Sequence, residues 1–195
     1  PYAAPYVDSF ADVSTEYAYG VGGDDHRTYW NFYSDSRFEE VVSQDNDNGM
    51  LAMYGQNKGN SAYLSTGKVD LTGLQNPVLT FYLFNMTGSL ANENTVEVQV
   101  DDRSGFKSMA TYRLGDLGEE GWHRVELSLS EYIGKSVRFK IIGTIQTYQY
   151  IHLDNMQLRD RSDYDVAITG VSAPERIKAG SEGLSLIHIS EPTRL

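Results

Sequence analysis

The fold turns on Tyr150-Ile-His-Leu-Asp-Asn-Met-Gln-Leu158. Ile151 and Leu153 share one parity, and Met156 and Leu158 share the other. Residues of one parity face one side of a β-sheet, so the apolar face changes side across Asp154-Asn155. One extra residue in a strand produces such a change, and the spacing predicts a β-bulge there. A bulge re-aims its neighbouring side chain, and a carboxylate so placed near a sheet rim has two readings. Either it meets loop carbonyls around an oxygen-preferring cation, or backbone amides satisfy it at a strand end. The residues alone leave both open.

Outward from this stretch the chain keeps a period of two. In "TVEVQVD" (95–101), Val96, Val98 and Val100 alternate with polar residues, as in a half-buried strand. "HRVELSL" (123–129) and "SVRFKII" (136–142) alternate likewise, while "VLTFYLF" (78–84) is apolar on both parities, as for a strand covered on both faces. Shorter strands are expected at "YWNFYS" (29–34), "GMLAMYG" (49–55) and "AYLST" (62–66). Turn signals separate them at Gly22-Gly23-Asp24, Asp45-Asn-Asp-Asn-Gly49, Asn57-Lys-Gly-Asn60 and Gly118-Glu-Glu-Gly121. No long helical period and no internal repeat occurs. Many short strands joined by tight turns predict an all-β, antiparallel jelly-roll sandwich over residues 6–160, entered by a Pro/Ala linker at 1–5.

Composition narrows the partners. The 195 residues, 40% hydrophobic, suffice for one domain with a proper core. Acidic residues outnumber basic ones 27 to 16, a net charge of -11, which opposes binding to nucleic acid or an anionic membrane surface. Clustered carboxylates suit a hard cation such as Ca2+. Cysteine is absent, which excludes disulfides, thiolate metal sites and a Cys nucleophile. No apolar run reaches the length of a membrane span. The chain starts at Pro1 and shows no signal peptide, so it reads as a fragment and leaves export open. After residue 160 the register changes: 161–183 reads as the truncated start of a second, immunoglobulin-like all-β module. Residues 184–194, "LSLIHISEPTR", resemble the in-frame translation of a transposon sequencing adapter, and 184–195 is set aside from fold reasoning.

Three stretches together carry a family resemblance: "SAYLSTGKVDLTGLQNPVLTFYL" (61–83), "GWHRVELSLSEYIGKSVRFKIIGT" (121–144) and the closing "YIHLDNMQL". Their order resembles the MAM-like, cleaved-adhesin and choice-of-anchor J domains of Bacteroidetes surface proteins, over most of residues 6–160. Animal MAM domains use cysteines, so the cysteine-free bacterial branch is the better match. Where such domains often carry Phe-Glu near the N-terminus, this chain departs with Phe10-Ala11-Asp12. The resemblance implies a concanavalin-like jelly roll, extracellular or at the cell surface, alongside neighbouring domains of a longer parent chain. It implies a module for adhesion or carbohydrate binding whose partner is a glycan or an extracellular protein. It also implies structural Ca2+, with Asp154 of the closing strand as ligand and Asp24 and Asp25, ahead of Trp30, as further ones. The alternative is a structural spacer attached to a secreted protease or hydrolase.

Tyr148, Tyr150 and His152 share a parity, as do Tyr82 and Phe84. On an open face such rings stack on sugars; within the sandwich they simply pack. Trp30 and Trp122 read as core or rim packing. "DNDNG" (45–49) fails as an EF-hand, because Gln44 and Gly55 fall where the loop needs its terminal acids, and it reads as a solvated turn. His26, His123 and His152 lack zinc spacing. No paired-carboxylate glycosidase run, G-x-S-x-G, P-loop or dinucleotide fingerprint occurs, and Glu119-Glu120 sits in a Gly-flanked turn, so catalysis is not expected. The sequon Asn85-Met-Thr87 matters only in a eukaryotic secretory route.

Overall fold

A computed structural model describes residues 1–11, 17–33, 37–38, 40–88 and 90–161, with 37 and 38 described by their backbone alone. Among these, fifteen strands succeed one another: β1 (Tyr2–Ala3), β2 (Tyr6–Asp8), β3 (Tyr19–Gly23), β4 (Tyr29–Tyr33), β5 (Arg37–Phe38), β6 (Val41–Val42), β7 (Met50–Tyr54), β8 (Ser61–Thr66), β9 (Val69–Asp70), β10 (Pro77–Asn85), β11 (Thr95–Asp101), β12 (Lys107–Arg113), β13 (Gly121–Ser128), β14 (Ser136–Thr144) and β15 (Ile151–Asp160). The helical elements among them are short 3-10 turns at Leu114–Asp116 and Ser130–Tyr132. No helix among the described residues is long and apolar enough to cross a membrane.

The strands form a jelly-roll sandwich. In the first sheet β12, β11 and β14 lie in that order, and β14 offers its free edge to two partners. Its residues 140–144 pair with β8, which continues to β3, and Ser136 and Val137 pair with β9, which continues to β1. The second sheet runs β13-β10-β15-β7-β4, with β2 also along β15. Alternation supplies the core: Val96, Val98, Val100, Val137, Phe139 and Ile141 from one sheet meet Trp30, Leu51, Met53, Leu79, Phe81 and Leu83 from the other. Gly143 lies in this contact, and a Cβ there would sit 2.4 Å from Met53 Sδ and 3.2 Å from Trp30 Cζ2. The missing side chain makes room for the indole, whose Nε1 donates to Ala62 O at 3.3 Å.

The bulge is where the spacing predicts it. Thr80 pairs with Gln157 and Tyr82 with Asp154, so Phe81 faces both Asn155 and Met156. Asn155 adopts a φ of 51°, in the left-handed region that Asn tolerates better than most residues. Ile151 and Leu153 before it, and Met156 and Leu158 after it, all enter the core.

Three local expectations need correction. The 1–5 segment is not a free linker: Tyr2 N donates to Lys68 O at 2.7 Å and β1 pairs in parallel with β9, so the sandwich begins at Tyr2. Gly22-Gly23 is not a turn but the end of β3. A Cβ on Gly22 would lie 2.6 Å from the Tyr63 ring and one on Gly23 1.9 Å from Thr28 O, so these glycines serve close approach between neighbouring segments. The expected strands also omit β12, an edge strand whose exposed and half-buried residues do not alternate. The expected immunoglobulin-like start and the adapter-like tail lie outside the described residues, beyond the unit Pro1–Arg161.

The outward face of the second sheet is partly covered. Trp122 Nε1 on β13 donates to Val42 O at 2.8 Å, and Gln44 N donates to Asp154 Oδ2 on β15 at 2.8 Å. β10 lies between those two contacts, so the 41–49 segment crosses it. Val41, Met50, Ala52 and Val78 are buried, yet stand outside the main core cluster.

Candidate functional site

The same face carries a cleft. Tyr29, Asn31 and Tyr33 share one parity of β4, opposite to core-facing Trp30, and Tyr54 pairs with Tyr29 from β7. Tyr150, just ahead of β15, brings its ring centroid to 5.1 Å from that of Tyr54, with 38° between the planes. With Arg27 from the β3–β4 turn, these residues line a cavity of ≈ 210 Å³. Tyr29 is 45% exposed and Tyr54 36%. Their hydroxyls, with Asn31 and Arg27, add directional hydrogen bonding around an aromatic trough.

Of the expected aromatic residues, the structure brings Tyr150 into this cleft. Tyr148 is 77% exposed, on the loop joining β14 to β15. Buried Asn94 pins that loop: its Oδ1 accepts Gln146 N at 2.7 Å and Thr147 N at 2.8 Å, and its Nδ2 donates to Gln149 O at 2.8 Å. His152 is a correction, for it is 0% exposed and cannot touch a sugar. Burial lowers its pKa to about 4, keeping the ring neutral. It serves as a link in a row of rings, with centroids 6.0 Å from Tyr150 and 6.0 Å from Phe84, which in turn lies 5.3 Å from Trp122. Arg27, Tyr29, Asn31, Tyr33 and Tyr54 were not singled out by sequence reasoning. The alternation of "YWNFY" held the signal for three of them, since Tyr29, Asn31 and Tyr33 fall opposite the core-facing Trp30.

Asp154 lies on the same sheet face beneath the covering segment, 0% exposed. Its Oδ2 accepts Gln44 N, and its Oδ1 accepts Asn155 N at 2.7 Å. This matches the backbone-amide reading, although each oxygen keeps a lone pair. No basic side chain pairs with it among the described residues. Burial, reinforced by Asp45 and Asp47, pushes its pKa up to about 7 against the two amide hydrogen bonds. The Asp45 carboxyl is also raised, first by burial and then by its neighbour Asp47. The turn bearing these acids is held by Ser43 Oγ donating to Asp47 O at 2.8 Å and Gly49 N donating to Asp47 Oδ1 at 3.0 Å. Gly49 packs on Phe10: a Cβ there would lie 1.5 Å from Phe10 O.

Asp24 and Asp25 stand elsewhere. Asp24 Oδ2 accepts Ser61 N at 2.7 Å, while Asp25 accepts Arg27 N and Asn60 Nδ2, each at 2.8 Å. These contacts belong to the Tyr54 end of β7, and Asp154 belongs to the Met50 end, roughly 13 Å away along the five-residue strand. The structure therefore does not bring Asp24 and Asp25 to Asp154. Asp45 and Asp47 are the acidic neighbours whose charge Asp154 feels. Among the described residues, no three or more His, Asp or Glu side chains are gathered to hold an ion. Asn85 of the sequon is buried, and its Nδ2 donates to Gly118 O at 2.7 Å, so it is not presented for glycosylation.

No protein family matches the chain, and no curated protein does. Solved structures do. The K2 cleaved adhesin domain of Lys-gingipain is similar at a TM-score of 0.54 and 14% identity, covering 80% of this chain and 99% of that one. The K1 cleaved adhesin domain of Lys-gingipain from Porphyromonas gingivalis W83 gives 0.52 and 16%, covering 82% and 99%. TmCBM61, solved in complex with β-1,4-galactotriose, gives 0.51 and 14%, covering 73% and 88%. At these identities the likeness is one of fold, and the fold it shows is the β-sandwich that adhesin domains and carbohydrate-binding modules share.

Proposed function

We propose that this domain is a non-catalytic carbohydrate-binding or adhesion module of an exported protein, and that it takes its glycan in the tyrosine-lined cleft. The observation that carries this is the convergence of Tyr29, Tyr33, Tyr54 and Tyr150 on one open sheet face. Sugar rings present C–H faces that pack on phenol rings, while their hydroxyls bond to Asn31, Arg27 and the tyrosine OH groups. The fold it shares with a module solved on a galactotriose supports the ligand class. The test is a glycan array followed by calorimetry on the best ligand. Tyr150→Ala and Tyr54→Ala each weaken binding with the fold intact; a chain that binds no glycan is the structural spacer instead.

The same reading includes Ca2+ as a structural ion with Asp154 as a ligand. Its support is a buried carboxylate that has no basic partner among the described residues and has Asp45 and Asp47 as acidic neighbours. Bound there, the ion supplies positive charge to these acids. Calorimetric titration of the chelated protein with Ca2+, and the loss of that heat in Asp154→Ala, test it. Titration without heat rejects the ion.

A further inference from the structure

We infer that the cleft prefers an acidic saccharide, one bearing a uronate carboxylate, over its neutral counterpart; this rests on the glycan reading above. The deciding residue is Arg27. Four other arginines are neutralised: Arg113 pairs with Glu93 and Asp116, Arg124 and Arg161 with Glu126, and Arg138 with Asp101. No carboxylate lies within ion-pair distance of the Arg27 guanidinium among the described residues.

Its surroundings position the group without cancelling it. Asp25 Oδ1 accepts the Arg27 backbone N–H at 2.8 Å and fixes the turn, and Asp25 Oδ2 is occupied by Asn60 Nδ2. Arg27 Nη1 donates to the neutral Gln56 Oε1 at 2.6 Å, and Nε to His26 Nε2 at 3.3 Å. Nη2 donates to nothing among the described residues. The cleft's other lining residues, four tyrosines and an asparagine, carry no charge at neutral pH.

A cation held at the rim of a neutral aromatic cleft leaves its counter-charge to the ligand. A hexuronate fits this chemistry, because its carboxylate projects from the ring edge while the ring face stays free to stack. Stacking on Tyr54 and Tyr150 would leave the carboxylate to meet the guanidinium in a charge-assisted hydrogen bond. The protein's net charge of -11 opposes this only weakly, since distant charges are screened within about 8 Å at physiological salt.

The experiment uses oligogalacturonate and oligoglucuronate, each as free acid and as methyl ester, which keeps the shape and removes the charge. Titration calorimetry at physiological salt should show the acid of at least one pair binding about tenfold tighter than its ester. Arg27→Gln should bring the two affinities together, and Tyr150→Ala should weaken both. Equal affinity of acid and ester, or an Arg27→Gln variant that keeps the difference, overturns the acidic preference and leaves the glycan reading standing. Failure of all four, and of a neutral glycan panel, overturns both.

Discussion

Tyr150 and His152 stand two residues apart and project to the same side of the second sheet, yet one lines an open cleft and the other is sealed. Their strand pattern does not distinguish them. On the His152 side the 41–49 segment, anchored at Trp122 and Asp154, crosses the face. Under it lies a buried acid; the cleft beside it is lined by tyrosines and Arg27. Burial on this face depends on what crosses above the sheet, a contact made between distant parts of the chain.

The sharpest way to break this contrast is through Asp154. Its folded-state pKa is raised to about 7 from 3.8, so the folded protein holds a proton that the unfolded chain releases. The stability this contributes is full below about pH 4 and is lost as pH rises through about 7. At about 1.4 kcal/mol per pKa unit the swing is roughly 4 kcal/mol at most. It should appear as the pH-dependent difference in urea denaturation between wild type and Asp154→Asn in chelator. A flat difference means the acid is not sealed under 41–49. Ca2+ added at pH 8 should raise the melting temperature of the wild type and not of the variant.

His152→Ala comes next. It empties a buried position and removes the ring contacts with Phe84 and Tyr150, and should cost about 2–3 kcal/mol in urea denaturation. A cost near zero would place His152 on the open side of the boundary. Tyr150→Ala should do the reverse, weakening the best glycan about tenfold by calorimetry while stability falls less than in His152→Ala. Smallest of all, Tyr148→Ala should change stability by less than about 0.5 kcal/mol, because the side chain is exposed and Asn94 holds the loop by its backbone. A larger loss would show that Tyr148 packs against something in solution.

Much of this was legible in the sequence. Strands such as 95–101 and 136–142 declared themselves because one face of each is buried and the other is not. The bulge was legible too, since a change of parity has few other causes. β3 was hidden because glycines that serve close packing look like turn residues, and β12 because an edge strand half-exposed on both sides has no alternation to read. At the site, Asp154 and Tyr150 stood out by position. Their partners did not, because Gln44 is 110 residues from Asp154, and no local pattern announces which turn will fold back onto which strand. Asp45 and Asp47 consequently read as solvent-facing, and Asp24 and Asp25 as partners of an acid they never meet.

Asn155 also sets how the chain tolerates gain and loss of residues. By occupying a place with no counterpart on β10, it keeps the halves of β15 in different phase. Deleting it would rephase one half, sending Ile151 and Leu153, or else Met156 and Leu158, out of the core together. A single-codon deletion there should therefore do more harm than any substitution at the same site, whereas the exposed turn at Asn57–Asn60 should accept insertions.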